Sequence, residues 1–455
     1  MIVAIGDPRD IRKQYVMNSS VFLDNILEQI RSVAPARIVG NVVRTEGTTI
    51  SAVGFPAPIG SIACVGRHDD SDELLAEVIG FRDNLTLLYS YSDLKGVRRG
   101  AKIELHKTTP WLAVGDELLG RVLDAFGRTI DSGPAPVLPS RTRYDNDAPD
   151  PFSRPSIQTV LSTGVRAIDG ILTCGQGQRL GIFAGSGVGK SVTLGMMTRY
   201  TDADVVVVGL IGERGREVND FLERELGTEG RRKSVVVVST SNEPPMMRVR
   251  AAYAAMSIAE YFRDQGKNVL FLMDSLTRFA MAQREIGLAA GEPPTSRGYT
   301  PSVFALLPKL VERAGRTNVG SITAFFTVLV EGDDKQDPIC DAVRGLLDGH
   351  IWLSRKLSGR GFYPAIDILE SISRLANVIC SEEHVRLASE LRNLMGVYAD
   401  AEDLISVGAY RKGSSPEIDR AIEMKPKIDA FLRQQINERS NFSETLERLR
   451  NLFDE

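Results

Sequence analysis

No stretch of this 455-residue chain approaches the roughly 18 uninterrupted apolar residues that a membrane-spanning helix requires. The longest apolar runs, Val205 to Ile211 and Val269 to Met273, are strand-sized, so any membrane association is expected to be peripheral. Cysteine is scarce: Cys64, Cys174, Cys340 and Cys380 stand far apart and form no CxxC pair. That argues against a zinc site or a disulfide framework and fits a reducing cytosol. Charge bias is missing too. A net charge of −4 offers no global electrostatic basis for binding nucleic acid. The first residues, Met1-Ile-Val-Ala-Ile-Gly-Asp-Pro8, lack a basic segment leading into an apolar run, so no signal peptide is expected. Internal repeats and low-complexity tracts are also absent.

What is present has globular proportions, 43% hydrophobic and 25% charged, at a length that calls for two or three domains. Phe22, Leu23, Ile26, Leu27, Ile30 and Val33 recur at helical spacing within Asp10 to Val33. This amphipathic helix either packs on its own domain or docks a partner. From Ala36 to Leu105, short β-rich runs alternate with Gly, Asn and Asp turns (Arg37 to Arg44, Thr49 to Val53, Ser61 to Val65, Leu75 to Phe81, Leu85 to Tyr91, Lys102 to Leu105). Such spacing predicts a small barrel or sandwich. Asp131 to Ser156 carries six prolines and few apolar residues and reads as an extended connector.

The middle of the chain alternates apolar strands with helical stretches. The strands are Leu180 to Phe183, Val205 to Leu210, Val235 to Val238, Val269 to Met273 and Ile322 to Val330, and Val249 to Gln265 is a helix among them. Continuously apolar strands suit a parallel sheet covered on both faces, so the expected class is α/β, doubly wound. Beyond Leu375 helical patterning takes over, ending with Ile428, Leu432, Ile436, Phe442, Leu446, Leu449 and Phe453. The expected division is therefore 1–35 for the helix, 36–105 for the barrel, 106–375 for the central domain and 376–455 for a helical C-terminal domain.

The chemistry begins at Ala184-Gly185-Ser186-Gly187-Val188-Gly189-Lys190-Ser191. This loop follows a predicted strand and opens a predicted helix from Ser191 through Val192 to Arg199, the context a phosphate-binding loop requires. Glycines at 185, 187 and 189 let backbone N–H groups converge on an anion, and the helix N-terminus adds partial positive charge. Lys190 can reach the β- and γ-phosphates, and the Ser191 hydroxyl can ligate Mg²⁺. Asp274 ends the run Val269 to Met273, at the sheet edge where a carboxylate can hold the metal's hydration shell; taken alone it also fits a helix cap. Gly212-Glu213-Arg214-Gly215-Arg216-Glu217 follows the strand from Val205. It places Glu213 where ligands collect in open α/β folds, to polarise an attacking water. The local residues fit an ordinary solvated loop equally well.

These segments together resemble a known family. The P-loop, the run from Gly212 to Glu217 and Asp348-Gly-His350 look like the catalytic subunits of rotary ATPases and their secretion relatives. The protein-export ATPases of flagella are the most similar branch. Gly195 to Thr201, Met281 to Ile286, Gly291 to Pro294, Glu331 to Asp334 and Tyr363 to Asp367 continue the likeness, which runs from about Gly115 to the end of the chain. It implies a RecA-like P-loop domain with a parallel sheet, preceded by a small β-barrel and followed by a helical C-terminal domain, using ATP and Mg²⁺. It gives Glu213 the role of orienting the water, with Arg214 beside the phosphates and Glu217 and Asp274 as carboxylates around the metal. Arg374, in Ser371-Ile-Ser-Arg374, matches an arginine finger that reaches into the neighbouring subunit; local sequence alone would make it a surface ion pair. Tyr363 matches an aromatic that stacks on adenine, with a core tyrosine as the plain alternative. Gly291 to Tyr299 resembles a loop facing the central pore.

One chain holding loop, glutamate and finger implies a homohexamer. The resemblance also implies a regulator on the N-terminal helix, a stalk-like protein in the ring, chaperone-substrate complexes and an export gate. It places the protein in the cytoplasm, peripheral at the inner face of the membrane. A virulence-type injectisome ATPase shares nearly every catalytic feature. A rotary synthase subunit fits less well, because the C-terminal domain lacks that subunit's acidic cluster. A ring-shaped RNA translocase is the reading from a different class. Yet Ala36 to Leu105 holds few aromatics (Phe55, Phe81, Tyr89, Tyr91) and no basic stripe for stacking bases, so no specific nucleic-acid partner is expected.

Overall fold

The computed structural model describes residues 38–68, 74–330, 332 and 334–454. The amphipathic helix expected between Asp10 and Val33, and two residues of the segment from Glu331 to Asp334, lie outside the described residues. The chain divides into two compact units, the first ending at Leu112 and the second beginning at Ala113.

The first unit is a closed antiparallel barrel. Its strands are β1 (Val39–Glu46), β2 (Thr49–Val53), β3 (Ile62–Val65), β4 (Leu74–Arg82), β5 (Leu85–Ser90) and β6 (Lys102–Lys107), in the order β1-β2-β5-β4-β3-β6. Alternation sets the inside: Val42, Ile50, Ala52, Ala63, Val65, Ala76, Val78, Leu88 and Ile103 fill one buried cluster. Bulges in β1 and β4 supply the curvature that closure demands.

The second unit is built on a nine-stranded sheet. Its main strands are β7 (Val122–Leu123), β8 (Arg179–Ala184), β9 (Val205–Glu213), β10 (Ser234–Thr240), β11 (Asn268–Asp274), β12 (Ser321–Leu329), β13 (Gly349–Leu353) and β14 (Ile366–Ser373). They lie in the order β14-β13-β8-β12-β11-β9-β10-β7, with the short strand Gly315–Arg316 beside β12. All neighbours from β13 to β7 run parallel, and β14 is an antiparallel edge. The five strands expected from apolar runs are all there. β13 and β14 were not among the expected strands: the apolar part of β13 is only Ile351-Trp352-Leu353 behind Gly349-His350, and β14, at the edge, mixes polar with apolar residues.

Helices α1 (Arg166–Ile171), α2 (Lys190–Tyr200), α3 (Pro245–Asp264), α4 (Leu276–Ala290) and α5 (Pro301–Val311) accompany the sheet. The tail holds α6 (Glu382–Ser406), α7 (Pro416–Leu432) and α8 (Phe442–Asn451). Phe431, Leu432 and Leu449 join Ile168, Leu180 and Ile366 in one apolar core, so the C-terminal helices are part of the same packed body.

The proline-rich connector is strapped down rather than loose. The Arg313 guanidinium donates to Tyr144 O (2.7 Å), Ser257 Oγ (2.8 Å) and both Glu260 carboxylate oxygens (2.8 and 2.6 Å). Arg313 and Glu260 are almost fully buried, and every charge in this network is met by a partner, the condition for tolerating ions in a core.

Candidate functional site

The parallel strands β8, β11, β9 and β12 all end at one edge of the sheet, and the predicted nucleotide residues collect there. β8 stops at Ala184, the loop turns, and α2 begins at Lys190. Gly187 (φ +77°) and Gly189 (φ +90°) sit in left-handed conformations that a side chain would strain. Gly185 has a close neighbour instead: a Cβ there would lie 2.7 Å from Arg355 Nε and 2.8 Å from its Nη2, so this guanidinium rests against the loop and would have to move aside for a side chain. Val188 is buried and Val192 half-buried, so both anchor the loop while their backbones stay available to an anion. No side chain caps α2, which leaves its first N–H groups to whatever binds in the loop.

Lys190, Glu213 and Asp274 come together. Lys190 Nζ lies 2.5 Å from Asp274 Oδ1 and 3.5 Å from Glu213 Oε1. Asp274 Oδ1 also accepts from Thr327 Oγ1 at 2.8 Å, which fixes the carboxylate on the strand end. Burial would depress the Lys190 ammonium, but Asp274 and Glu213 outweigh it and hold the group above its ordinary value. Burial and the nearby Asp274 charge push the Glu213 carboxyl up to about 7, against the pull of Lys190. A carboxyl so placed can accept a proton from water near neutrality.

Of the remaining predicted residues, Glu217 stands close enough to the Glu213 carboxyl to help push it up, and Ser191, Arg214 and Tyr363 line the loop or its rim. Ser191 follows Lys190 and is exposed. Arg214 and Glu217 pair with each other at 3.5 Å on the rim, on either side of the start of the short helix Gly215–Asp220. Tyr363 is 44% exposed and its ring edge lies 3.3 Å from where a Cβ on Gly189 would stand, so it borders the loop with a free face. Its carbonyl accepts from Gln434 N at 3.0 Å.

Arg374 is not in this constellation. β14 runs antiparallel to β13, pairing Leu353 with Ile366 and Gly349 with Ser373. Ala184 is level with Leu353, so Arg374 emerges at the opposite edge of the sheet from the P-loop. It is exposed and makes no ion pair among the described residues. A cavity of about 380 Å³ beside it is lined by Arg392 and Arg374 and by no carboxylate.

Three neighbours of the site escaped the sequence reading. Arg278 stands one helical turn beyond Asp274, with its Cβ and Cγ against Gly212, and the spacing from Asp274 was a usable signal. Thr327 and Arg355 carry no local signal, since only the sheet order brings them to Asp274 and Gly185.

A parallel sheet whose glycine loop runs into a helix, with a lysine and two acids converging at its C-terminal edge, defines a P-loop nucleotide-binding domain. Residues 164–373 match the nucleotide-binding domain of the ATP synthase alpha/beta family, and residues 380–451 match the T3SS EscN ATPase C-terminal domain. The flagellum-specific ATP synthase of Bacillus subtilis strain 168 is 48% identical over 414 residues, covering 91% of this chain and 94% of that protein. The structure of the assembled ATPase EscN from the type III secretion system of enteropathogenic E. coli superposes with a TM-score of 0.86. It is 45% identical and covers 91% of this chain and 99% of that one. EscN in complex with its central stalk EscO gives a TM-score of 0.84 at 44% identity, with the same coverage. The chain belongs to the ATP synthase alpha/beta family, among its type III secretion ATPases.

Proposed function

We propose that this ATPase energises protein export through a flagellar type III apparatus, as a homohexameric ring with active sites between subunits. The observation that carries the catalytic reading is the convergence of Lys190, Glu213 and Asp274 on the P-loop edge. In this reading the loop from Ala184 to Ser191 cradles the phosphates of ATP. Lys190 leaves Asp274 for the β- and γ-phosphates, and Glu213 orients the water for in-line attack. Arg214 and Arg278 add positive charge around the phosphates, and Tyr363 stacks on adenine. Arg374 serves the site of the adjacent copy.

The oxygen donors here suit Mg²⁺. Ser191 and Asp274 offer one hydroxyl and one carboxylate, with Glu217 further out, and no cluster of three metal-ligating side chains exists among the described residues. Mg²⁺ is held in that sparse way, by one or two protein oxygens plus phosphates and water. When bound it would neutralise charge on the phosphate oxygens.

The stalk-bound EscN assembly supports a stalk-like protein in the ring. A regulator on the N-terminal helix, chaperone-substrate complexes and an export gate complete the proposed partners. The proposed location is the cytoplasm, peripheral at the inner face of the membrane; no described helix is long and apolar enough to cross one. The likeness to EscN keeps an injectisome role as the second reading. An RNA translocase lacks a stacking platform, because Phe55, Tyr89 and Tyr91 are buried in the barrel and only Phe81 is exposed.

The test is Glu213→Gln. ATP binding should persist while turnover falls by at least about 10²-fold, the usual worth of a positioned base. In cells lacking the native chain, wild-type protein should restore secretion of flagellar filament subunits and the variant should not. Near-normal turnover by the variant would refute the assignment of Glu213. Filament secretion that is normal without the chain would refute the flagellar role.

A further inference from the structure

The end of β14 that carries Arg374 is held by the ladder pairs Gly349–Ser373 and His350–Ile372, reinforced by side chains where the ladder is irregular. β14 and β13 fall out of register between His350 and Trp352. Through that irregular stretch the polar groups of β14 find other partners. The imidazole of His350 bonds to Glu370 O at 3.0 Å, and Ser371 Oγ accepts from Trp352 N at 2.9 Å. Closer to the arginine, Gln178 Nε2 donates to Ser373 Oγ (3.1 Å), Ser373 Oγ donates to Thr173 O (2.7 Å), and Arg374 N donates to Asp348 O (3.0 Å). The Asp348-Gly-His350 motif is therefore a brace for the end of β14.

One contact of this brace comes from the C-terminal helices. Arg392, on α6, donates from Nη2 to Ser371 O at 2.7 Å, and that is its only hydrogen bond among the described residues. A half-buried arginine held without a carboxylate partner is costly to keep, and its one bond goes to the carbonyl three residues before Arg374. Arg392 and Arg374 also line the same cavity, whose wall has no acid onto which Arg374 could fold back.

We infer that Arg392 is a positioning residue: it ties α6 to the strand end that presents Arg374, so that the C-terminal helices set where the finger points. This rests on the reading of Arg374 as a group acting on the neighbouring copy. A shift of about 1 Å in a reacting or stabilising group costs on the order of 10²-fold. Arg392→Gln should therefore lower kcat by roughly ten- to a hundred-fold with little change in the KM for ATP, because the P-loop of the same chain is untouched. Arg392→Lys keeps a cationic donor and should recover part of the loss.

Mixing experiments separate positioning from general damage. The reference pair is Arg374→Ala with Lys190→Ala, which regains turnover if the finger acts in trans. Arg392→Gln should be rescued by Lys190→Ala, whose finger is intact, and not by Arg374→Ala. Rescue by neither partner or by both, in the Gln and Lys variants alike, overturns the inference, as does an unchanged kcat. Failure of the reference pair itself overturns the trans reading and this inference with it. Recovery there, with Arg392→Gln behaving otherwise, overturns this inference alone.

Discussion

Mixing two inactive variants gives the most quantitative test of the proposed ring, because the sheet topology dictates the outcome. Arg374 follows Ser373, which pairs with Gly349, whereas the P-loop follows Ala184, level with Leu353. Four residue steps of about 3.3 Å, plus two strand spacings of about 4.8 Å from β14 to β8, put the two at least roughly 16 Å apart. A stretched arginine reaches only about 7 Å on ordinary ~1.5 Å bonds. No rotamer of Arg374 can serve its own P-loop. In a closed ring with head-to-tail interfaces, a site works when an Arg374→Ala chain supplies the loop and a Lys190→Ala chain supplies the finger. For a mole fraction x of the first variant the working share is x(1 − x), about one quarter at equal mixing, whatever the number of subunits. Arg374→Ala alone should retain at most about 10⁻³ of wild-type turnover, the usual worth of such an arginine, and Lys190→Ala alone should also be nearly inactive. Steady-state ATP hydrolysis, measured across mixing ratios on chains assembled together from monomers, should follow a parabola peaking near equal amounts. A flat line near zero at every ratio, with mixed rings confirmed by mass, would refute the argument.

Two further outcomes follow from packing and charge. Arg313→Met should lower the unfolding free energy by about 3–5 kcal/mol, because it strands the buried Glu260 carboxylate. Adding Glu260→Leu should recover much of that loss in denaturant unfolding, and equal midpoints for the single and double variants would contradict it. Asp131 takes hydrogen bonds from Arg121 and from the Val122 and Gly133 N–H groups. Burial pushes its carboxyl up, yet these donors outweigh burial and hold it at about 2. A depressed carboxyl stabilises the fold above its unfolded value near 4, and that contribution fades as pH falls towards 2. Asp131→Asn should therefore cost up to about 2 kcal/mol near pH 7 and about half as much near pH 3. A melting difference that grew on acidification would refute that sign.

Much of the site was legible in the chain because its signals are local. Strand, glycine loop, Lys190, Ser191 and helix are consecutive, and loop conformation with helix N-terminal charge is short-range physics. Asp274 and Glu213 were legible as the ends of apolar runs that had to be buried strands, and parallel strands place their C-terminal ends on one edge. The barrel strands declared themselves by alternation and turns. By contrast, β13 and β14 were invisible: their polar residues, such as His350 and Asp367, look like loop until an antiparallel edge pairs them. Gly185 read as a glycine that keeps a Cβ out of the way of an anion, and no local pattern hinted that the Arg355 guanidinium also lies against it.

The sequence by itself determined the class of chemistry, since a phosphate loop is written in eight consecutive residues whose conformations depend mainly on one another. Only the tertiary structure decided which side chains face each other across the sheet. Strand order brings Thr327 to Asp274 and holds Lys190 between two acids. The antiparallel turn of β14 sends Arg374 to the far edge, and α6 lays Arg392 on its strand. Such contacts join residues 21 to 84 positions apart. Strand order and helix packing create them, and no local pattern encodes either.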